Sequence, residues 1–194
     1  MLDLPPRVAQ LRQTGRLSVI SDEGTESVAV PQMITSDYSE AGRHEVIILA
    51  CKSQDLPAAA RDIGSLAESG SVIVTIQNGI PWWYPQTLPE YPGPRWIRCL
   101  DPDRQLERYI DPSQIIGCVA YPAAMLEPDG RVRHVEGYRF PVGELDGAVR
   151  ERTRRLSRLF EEGGFKSRII DDIGSEIWLK AWGALSINPI SALT

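Results

Sequence analysis

Apolar residues along the chain fall into short blocks, and the spacing inside each block separates strands from helices. Residues 17–20 and 27–30 flank Ser21-Asp22-Glu23-Gly24, a run of turn formers, which predicts a small β-hairpin. Residues 45–51, apolar throughout after Glu45, are expected to form a strand buried on both faces of a parallel sheet. Asp55 and Pro57 then offer an N-cap and an early-helix proline, and Leu56, Ala60, Ile63 and Ala67 recur at helical spacing. Ser69-Gly70 stops that helix, and residues 71–76 are a second buried-type strand. Strand, helix, strand makes a βαβ unit with a right-handed crossover. Its two strands end on the same rim, where α/β proteins bind ligands, so Lys52 and the Gln77-Asn78-Gly79 turn share that rim.

The pattern weakens over residues 81–94, a proline-rich stretch containing Trp82, Trp83 and Tyr84, which predicts a long ordered loop or an insertion without an evident role. Strand signals return at residues 115–120 and 131–135, the second after an Asp129-Gly130 turn, and suit antiparallel strands on the far part of the sheet. Val149, Leu156, Leu159 and Phe160 predict one helical face within residues 146–162, with Gly163-Gly164 as the stop. Residues 165–170 suit one more strand. Asp171 and Asp172 open a final helix through Trp178, Lys180 and Trp182 toward Asn188-Pro189.

Composition narrows the function classes. The chain has 194 residues, 42% hydrophobic and 24% charged, which is ordinary for a globular protein with one sizeable core. A net charge of -5 gives no broad attraction for nucleic acid or anionic lipid. Without an 18-residue apolar run or a secretory pattern at the start, a cytoplasmic address is expected. Cys51, Cys99 and Cys118 form no Cys-x-x-Cys pair, and only His44 and His134 could join them, so neither a disulfide framework nor a metal site is expected.

Lys180 carries the strongest chemical hint, because its helix is otherwise populated by Trp178, Leu179, Ala181, Trp182 and Leu185. Spacing of four puts Lys180, Ala184 and Asn188 on one stripe. A partly desolvated lysine can donate a proton to a carbonyl under reduction and stabilise the developing alkoxide; the plainer reading is a lysine snorkelling from an amphipathic helix. Asn78 can orient a nicotinamide or a substrate hydroxyl, or serve only as the first residue of an Asn-Gly turn. Lys52 can attract a phosphate or ribose, or sit solvated at a strand end. The cluster Arg150, Arg152, Arg154, Arg155 and Arg158 is expected to be a solvated helix face, interleaved with Glu151. His134 and Cys51 are expected to be structural.

Four blocks in order, Val46-Ile47-Ile48-Leu49-Ala50-Cys51-Lys52, Ile76-Gln77-Asn78-Gly79-Ile80, Gly117-Cys118-Val119-Ala120-Tyr121-Pro122 and the run from Ile177-Trp178-Leu179-Lys180 through Ile187-Asn188-Pro189 to Leu193, resemble the ketopantoate reductase family over nearly the whole chain. The resemblance implies an α/β fold: a Rossmann-type NADP-binding domain over residues 1–170, then the start of an all-helical substrate domain over residues 171–194. It implies reduction of 2-dehydropantoate to pantoate with hydride from NADPH, in pantothenate biosynthesis. Lys180 then matches the proton donor to the ketone, and Asn78 holds both substrate and nicotinamide. Lys52 lines the cofactor side of the cleft, and Asn188 contacts the substrate. The partner is a small-molecule ketoacid, with neither nucleic acid nor membrane, and a homodimer is an assembly the resemblance leaves open.

The chain departs from the family pattern in three places. It contains no G-x-G-x-x-G loop to hold a pyrophosphate on a helix N-terminus, and Leu2-Asp3-Leu4-Pro5-Pro6 stands where an arginine for the 2′-phosphate is expected. Ala184 stands where the family has a substrate-binding asparagine. The family's remaining helical domain would lie beyond Thr194, so the resemblance implies a piece truncated at both ends. These departures keep two other readings in view: a catalytically inactive Rossmann-like binding module, and a reductase for another branched α-ketoacid. Under the enzymatic reading, the Lys180 ammonium and the Asn78 carboxamide face each other across a gap that admits a nicotinamide ring and a keto group.

Overall fold

The computed structural model describes residues 1–3 and 5–193; Leu4 of the opening stretch and Thr194 at the end of the expected helical segment lie outside the described residues. In chain order the elements begin with α1 (Pro5–Thr14), β1 (Leu17–Ile20), β2 (Glu26–Ala29), α2 (Tyr38–Ala41), β3 (Val46–Leu49), α3 (Leu56–Leu66) and β4 (Val72–Thr75). They continue with α4 (Gln105–Tyr109), β5 (Ile115–Cys118), β6 (Ala123–Leu126), β7 (Val132–Glu136), β8 (Val142–Glu144), α5 (Glu151–Glu162) and α6 (Ile173–Leu193). The architecture is α/β and divides into two compact units, one of Met1–Arg43 with Tyr121–Tyr138, the other of His44–Ala120 with Arg139–Thr194.

The first unit holds a four-stranded sheet in the order β2-β1-β7-β6. The expected hairpin is present, with Leu17 opposite Ala29 and Ile20 opposite Glu26. Gly24 turns it with φ of 85°, a left-handed conformation that glycine adopts without strain. Val8 and Leu11 of α1 bury themselves with Ile34 and Leu17.

The second unit holds the sheet β3-β4-β5-β8. β3 and β4 are parallel, in register from Val46 opposite Val72 to Leu49 opposite Thr75, as the βαβ reading requires. α3 crosses between them and buries Leu56, Ala60, Ile63 and Leu66. The sheet is covered on both faces at its centre, so β4 and β5 are buried at every position, but β3 is not buried on both faces as expected: it stands at the end of the strand order and leaves Ile48 49% exposed. Val72, Val74, Ile116 and Cys118 pack with Phe140 and Leu156 on one side. Thr75 and Gly117, opposite one another in β4 and β5, look to the other, where Trp83 and Ile173 pack.

Three further local expectations are corrected. β5 and β7 do not extend one sheet as antiparallel strands: β5 runs parallel to β4, while β7 joins the first unit, antiparallel to β6 and parallel to β1. Their burial explains the split, since β5 is covered on both faces and β7 on one residue only. Residues 165–170 form no named strand and pair through single bridges, Arg139 with Lys166 and Val142 with Ile169. The α5 stripe is Thr153, Leu156, Ser157 and the partly buried Phe160, leaving Leu159 and Val149 exposed. The helix starts at Glu151, after a loop closed by Arg150 donating to both oxygens of Asp146 at 2.7 and 2.5 Å.

Candidate active site

The site lies in the second unit, at the carboxyl ends of its parallel strands. The β4 exit is tied down by its neighbours: Ile76 N donates to Leu49 O at 3.1 Å, and Gln77 Nε2 donates to the same carbonyl at 2.7 Å. Asn78 therefore leaves the sheet at a defined height. Gly79 follows with φ of 90° and open space where a Cβ would stand, so the turn presents bare backbone. β5 ends one strand away, carrying the chain through Val119 to Ala120.

α6 supplies the cation. Asp172 anchors its first turn by accepting from Ser175 N at 2.8 Å, and Ile173 and Ile177 are buried against the sheet. Gly117 and Gly143 permit the approach: a Cβ on Gly117 would stand 2.6 Å from Ile173 Cγ1 and one on Gly143 would stand 2.6 Å from Ile170 O. Two turns in, half-buried Lys180 points back to the rim. Its Nζ donates to Asn78 Oδ1 at 2.5 Å and to the carbonyl oxygen of Ala120. Burial lowers the Lys180 pKa below the usual lysine value, because the charged form loses hydration. Burial also pushes the nearby Cys118 thiol up to about 12, so it stands beside the ammonium as a neutral group at pH 7.

The structure thus brings Lys180 and Asn78 into direct contact. The gap expected between them is closed: the carboxamide itself occupies the ammonium. Lys52 is exposed, three residues past the end of β3 on the same rim. Asn188 and Ala184 are exposed on α6, and eight residues at about 1.5 Å per residue put Asn188 about 12 Å along the axis from Lys180. Among the arginines, Arg152 is more than a solvated charge. Its guanidinium donates to both oxygens of buried Glu144, and Thr153 Oγ1 donates there at 2.5 Å. Burial would raise the Glu144 pKa, but these bonds and the charges of Arg152 and Arg150 outweigh it and hold the carboxyl below its usual range.

Several groups at the site escaped the sequence reading. The Ala120 carbonyl is one; every residue has a carbonyl, so no side-chain pattern points to it. The aromatic stretch after Gly79 is another. Trp83 is buried and donates from Nε1 to Thr75 Oγ1 at 2.9 Å. Tyr84 opens a 3-10 turn (Tyr84–Thr87) against the start of α6, and Trp178 Nε1 donates to Tyr84 Oη at 2.7 Å. Aromatic residues with polar tips, placed directly after the rim turn, were the available signal.

The ketopantoate reductase family model PanE/ApbA matches residues 1–147. The chain belongs to this family. It is similar to 2-dehydropantoate 2-reductase of Mesorhizobium japonicum, 39% identical over 182 residues, which are 94% of this chain and 55% of the relative. The Halobacterium salinarum protein of the same name is 26% identical over 96% of this chain and 54% of its own length. A solved structure from Ralstonia solanacearum MolK2, a candidate ketopantoate reductase, superimposes with TM-score 0.83 at 30% identity, covering 96% of this chain and 57% of that one. The chain therefore spans about half the length of the curated relatives it matches. Among the described residues no helix is long and apolar enough to cross a membrane.

Proposed function

We propose that these residues form part of the catalytic cleft of an NADPH-dependent reductase that converts 2-dehydropantoate to pantoate. Residues 1–170 are then part of the NADP-binding domain and residues 171–194 the start of the helical substrate domain. The observation that carries the reading is the half-buried Lys180 ammonium held at the carboxyl rim of a parallel sheet by Asn78 and Ala120.

The rim suits the nicotinamide end of the cofactor. Buried Gln77 Oε1 has no protein donor, and Gly79 leaves its backbone open, so an amide and a flat ring could be received there. Asn78 and Lys52 are the residues that would hold it. NADPH, when bound, supplies the hydride. Lys180 then supplies the proton: its lowered pKa favours release, and its charge stabilises the oxygen as negative charge develops. For a keto oxygen to reach Nζ, the exposed Asn78 carboxamide must yield its place as acceptor and turn toward substrate or cofactor. Asn188 would contact the substrate from the same helix face.

The reading is tested by NADPH oxidation with 2-dehydropantoate, using the longest reading frame that contains these residues. Lys180→Ala is expected to lower kcat by about 10²–10⁴-fold. Absence of turnover in the parent, or an undiminished rate in the variant, rejects it. Light scattering on the same material decides the homodimer, and subcellular fractionation the cytoplasmic address.

Two sequence features favour other readings. The absence of a G-x-G-x-x-G motif favours an inactive binding module for these 194 residues, and micromolar NADPH binding by this chain in calorimetry would contradict that. Ala184 favours another branched ketoacid, which comparison of turnover across ketoacids before and after Ala184→Asn decides.

A further inference from the structure

The segment after the Asn78-Gly79 turn lies between the sheet and α6. Its inner end is fixed to β4 through the buried Trp83–Thr75 bond. Trp83 also lies against β5, where a Cβ on Gly117 would stand 2.8 Å from its Cη2. Its outer end meets α6 twice. A Cβ on Gly174 would stand 3.1 Å from Thr87 Oγ1, so the 3-10 turn touches the first turn of the helix. Then Trp178 crosses Tyr84 edge to face, with ring centroids 6.3 Å apart and planes at 85°, and adds the hydrogen bond to Tyr84 Oη. Trp178 is half exposed, so this bond is not imposed by burial. Trp178 stands two residues before Lys180 on the same helix.

We infer that Trp83 and Tyr84 are positioning residues: a strut from β4 to α6 that, through Trp178, sets the height and rotation at which Lys180 meets Asn78 and Ala120. Two polar contacts at one Nζ tolerate little movement, since a displacement of about 1 Å carries a hydrogen bond beyond its working range. Between Ile177, buried on the sheet side, and Lys180 at the rim, the Tyr84 contact is a directional polar link that constrains helix rotation; apolar packing at Ile173 and Ile177 is non-directional and fixes distance. The importance of this strut for catalysis rests on the reading of Lys180 as proton donor. The geometric claim itself can be tested without substrate.

The chain contains three lysines, Lys52, Lys166 and Lys180, so protein labelled with [6-13C]lysine gives three Cε signals that can be followed with pH by NMR. Parent Lys180 is expected to titrate below the ordinary lysine value, because burial disfavours its charge. Tyr84→Phe keeps the ring and removes the acceptor; Trp178→Phe keeps an aromatic group and removes the donor. Each is expected to move the Lys180 midpoint by about 0.5 pH unit or more, as the ammonium gains water and its contacts to Asn78 and Ala120 loosen, with Lys52 and Lys166 unmoved. The double variant is expected to match the singles, since both remove one interaction. An unmoved Lys180 midpoint in either single variant overturns the inference, as does a shift shared by all three lysines. A chain with no reductase activity would still give this answer, so failure of the strut and failure of the proposed function remain distinct.

Discussion

The two halves of α6 are both largely apolar in sequence and meet different surroundings. From Ile173 to Ala181 the helix is seated on the sheet, with Ile173 1% and Ile177 5% exposed. From Trp182 onward every described residue is exposed, including Trp182 at 70%, Leu185 at 67% and Ile190 at 63%. The first half has a built floor, made of two glycines in the strands, the aromatic stretch after β4 and an aspartate at the helix entrance. The second half has no such floor among the described residues. Lys180 stands at the junction, where helix leaves sheet, and this is why its ammonium is half-buried: one side meets Asn78 and Ala120, the other faces away from the sheet. The proposed chemistry sits where packing ends, because a cation there can be desolvated and still be reached.

The contrast can be broken most strongly from the packed side. Ile173→Ala removes a fully buried side chain and is expected to cost about 2–5 kcal/mol in urea unfolding; the same change at Ile190 is expected to fall within about 0.5 kcal/mol of the parent. Gly117→Ala inserts a methyl 2.6 Å from Ile173 and is expected to cost about 1–3 kcal/mol. Combined with Ile173→Ala it should cost less than the sum of the two, because the truncated isoleucine makes room. Equal or greater than additive loss in the double variant would show that Gly117 does not set the seat of α6.

A pH measurement sharpens the junction. The folded-state pKa of Lys180 is lowered, so between that value and the ordinary 10.5 the unfolded chain binds more protons than the folded one. Stability contributed by this group is therefore expected to rise with pH across that window. The difference in unfolding free energy between parent and Lys180→Met should show the rise, since the variant cannot titrate there. A flat difference would mean that Lys180 is as hydrated folded as unfolded. The smallest effect is expected on the exposed side. Leu185→Ser with Ile190→Ser should leave the unfolding midpoint nearly unchanged while reducing binding of an apolar-surface dye, and unchanged dye binding would show that this face is not the exposed apolar surface.

Much of the second unit was legible in the chain. Two largely apolar runs separated by an alanine-rich segment at helical spacing read as β3, α3 and β4, and these elements are present; burial on both faces holds for β4 and not for β3, and Asp55 precedes α3 without a side-chain capping bond. The rim position of Asn78 followed from that topology. The final helix was legible from its start to Asn188, and it continues through Pro189 to Leu193 even though an interior proline removes a backbone donor and crowds the preceding turn. The sheet to which residues 131–135 belong was not legible: a half-buried strand carries no label for its partner, and β7 found β1 and β6. Arg152 looked like its neighbours in a charged run until Glu144 was seen beneath it.

Local order alone determined where β3, α3, β4 and the start of α6 form, that β3 and β4 run parallel, and that one lysine sits in a largely apolar helix. Those properties depend on neighbours a few residues apart, and the chain states them directly. That Lys180 meets Asn78, 102 residues earlier, and the carbonyl of Ala120, 60 residues earlier, was decided only when the sheet, the aromatic strut and the helix were assembled. Hydrogen bonds act over about 3 Å, and no periodicity in a sequence can specify a distance between elements to that precision.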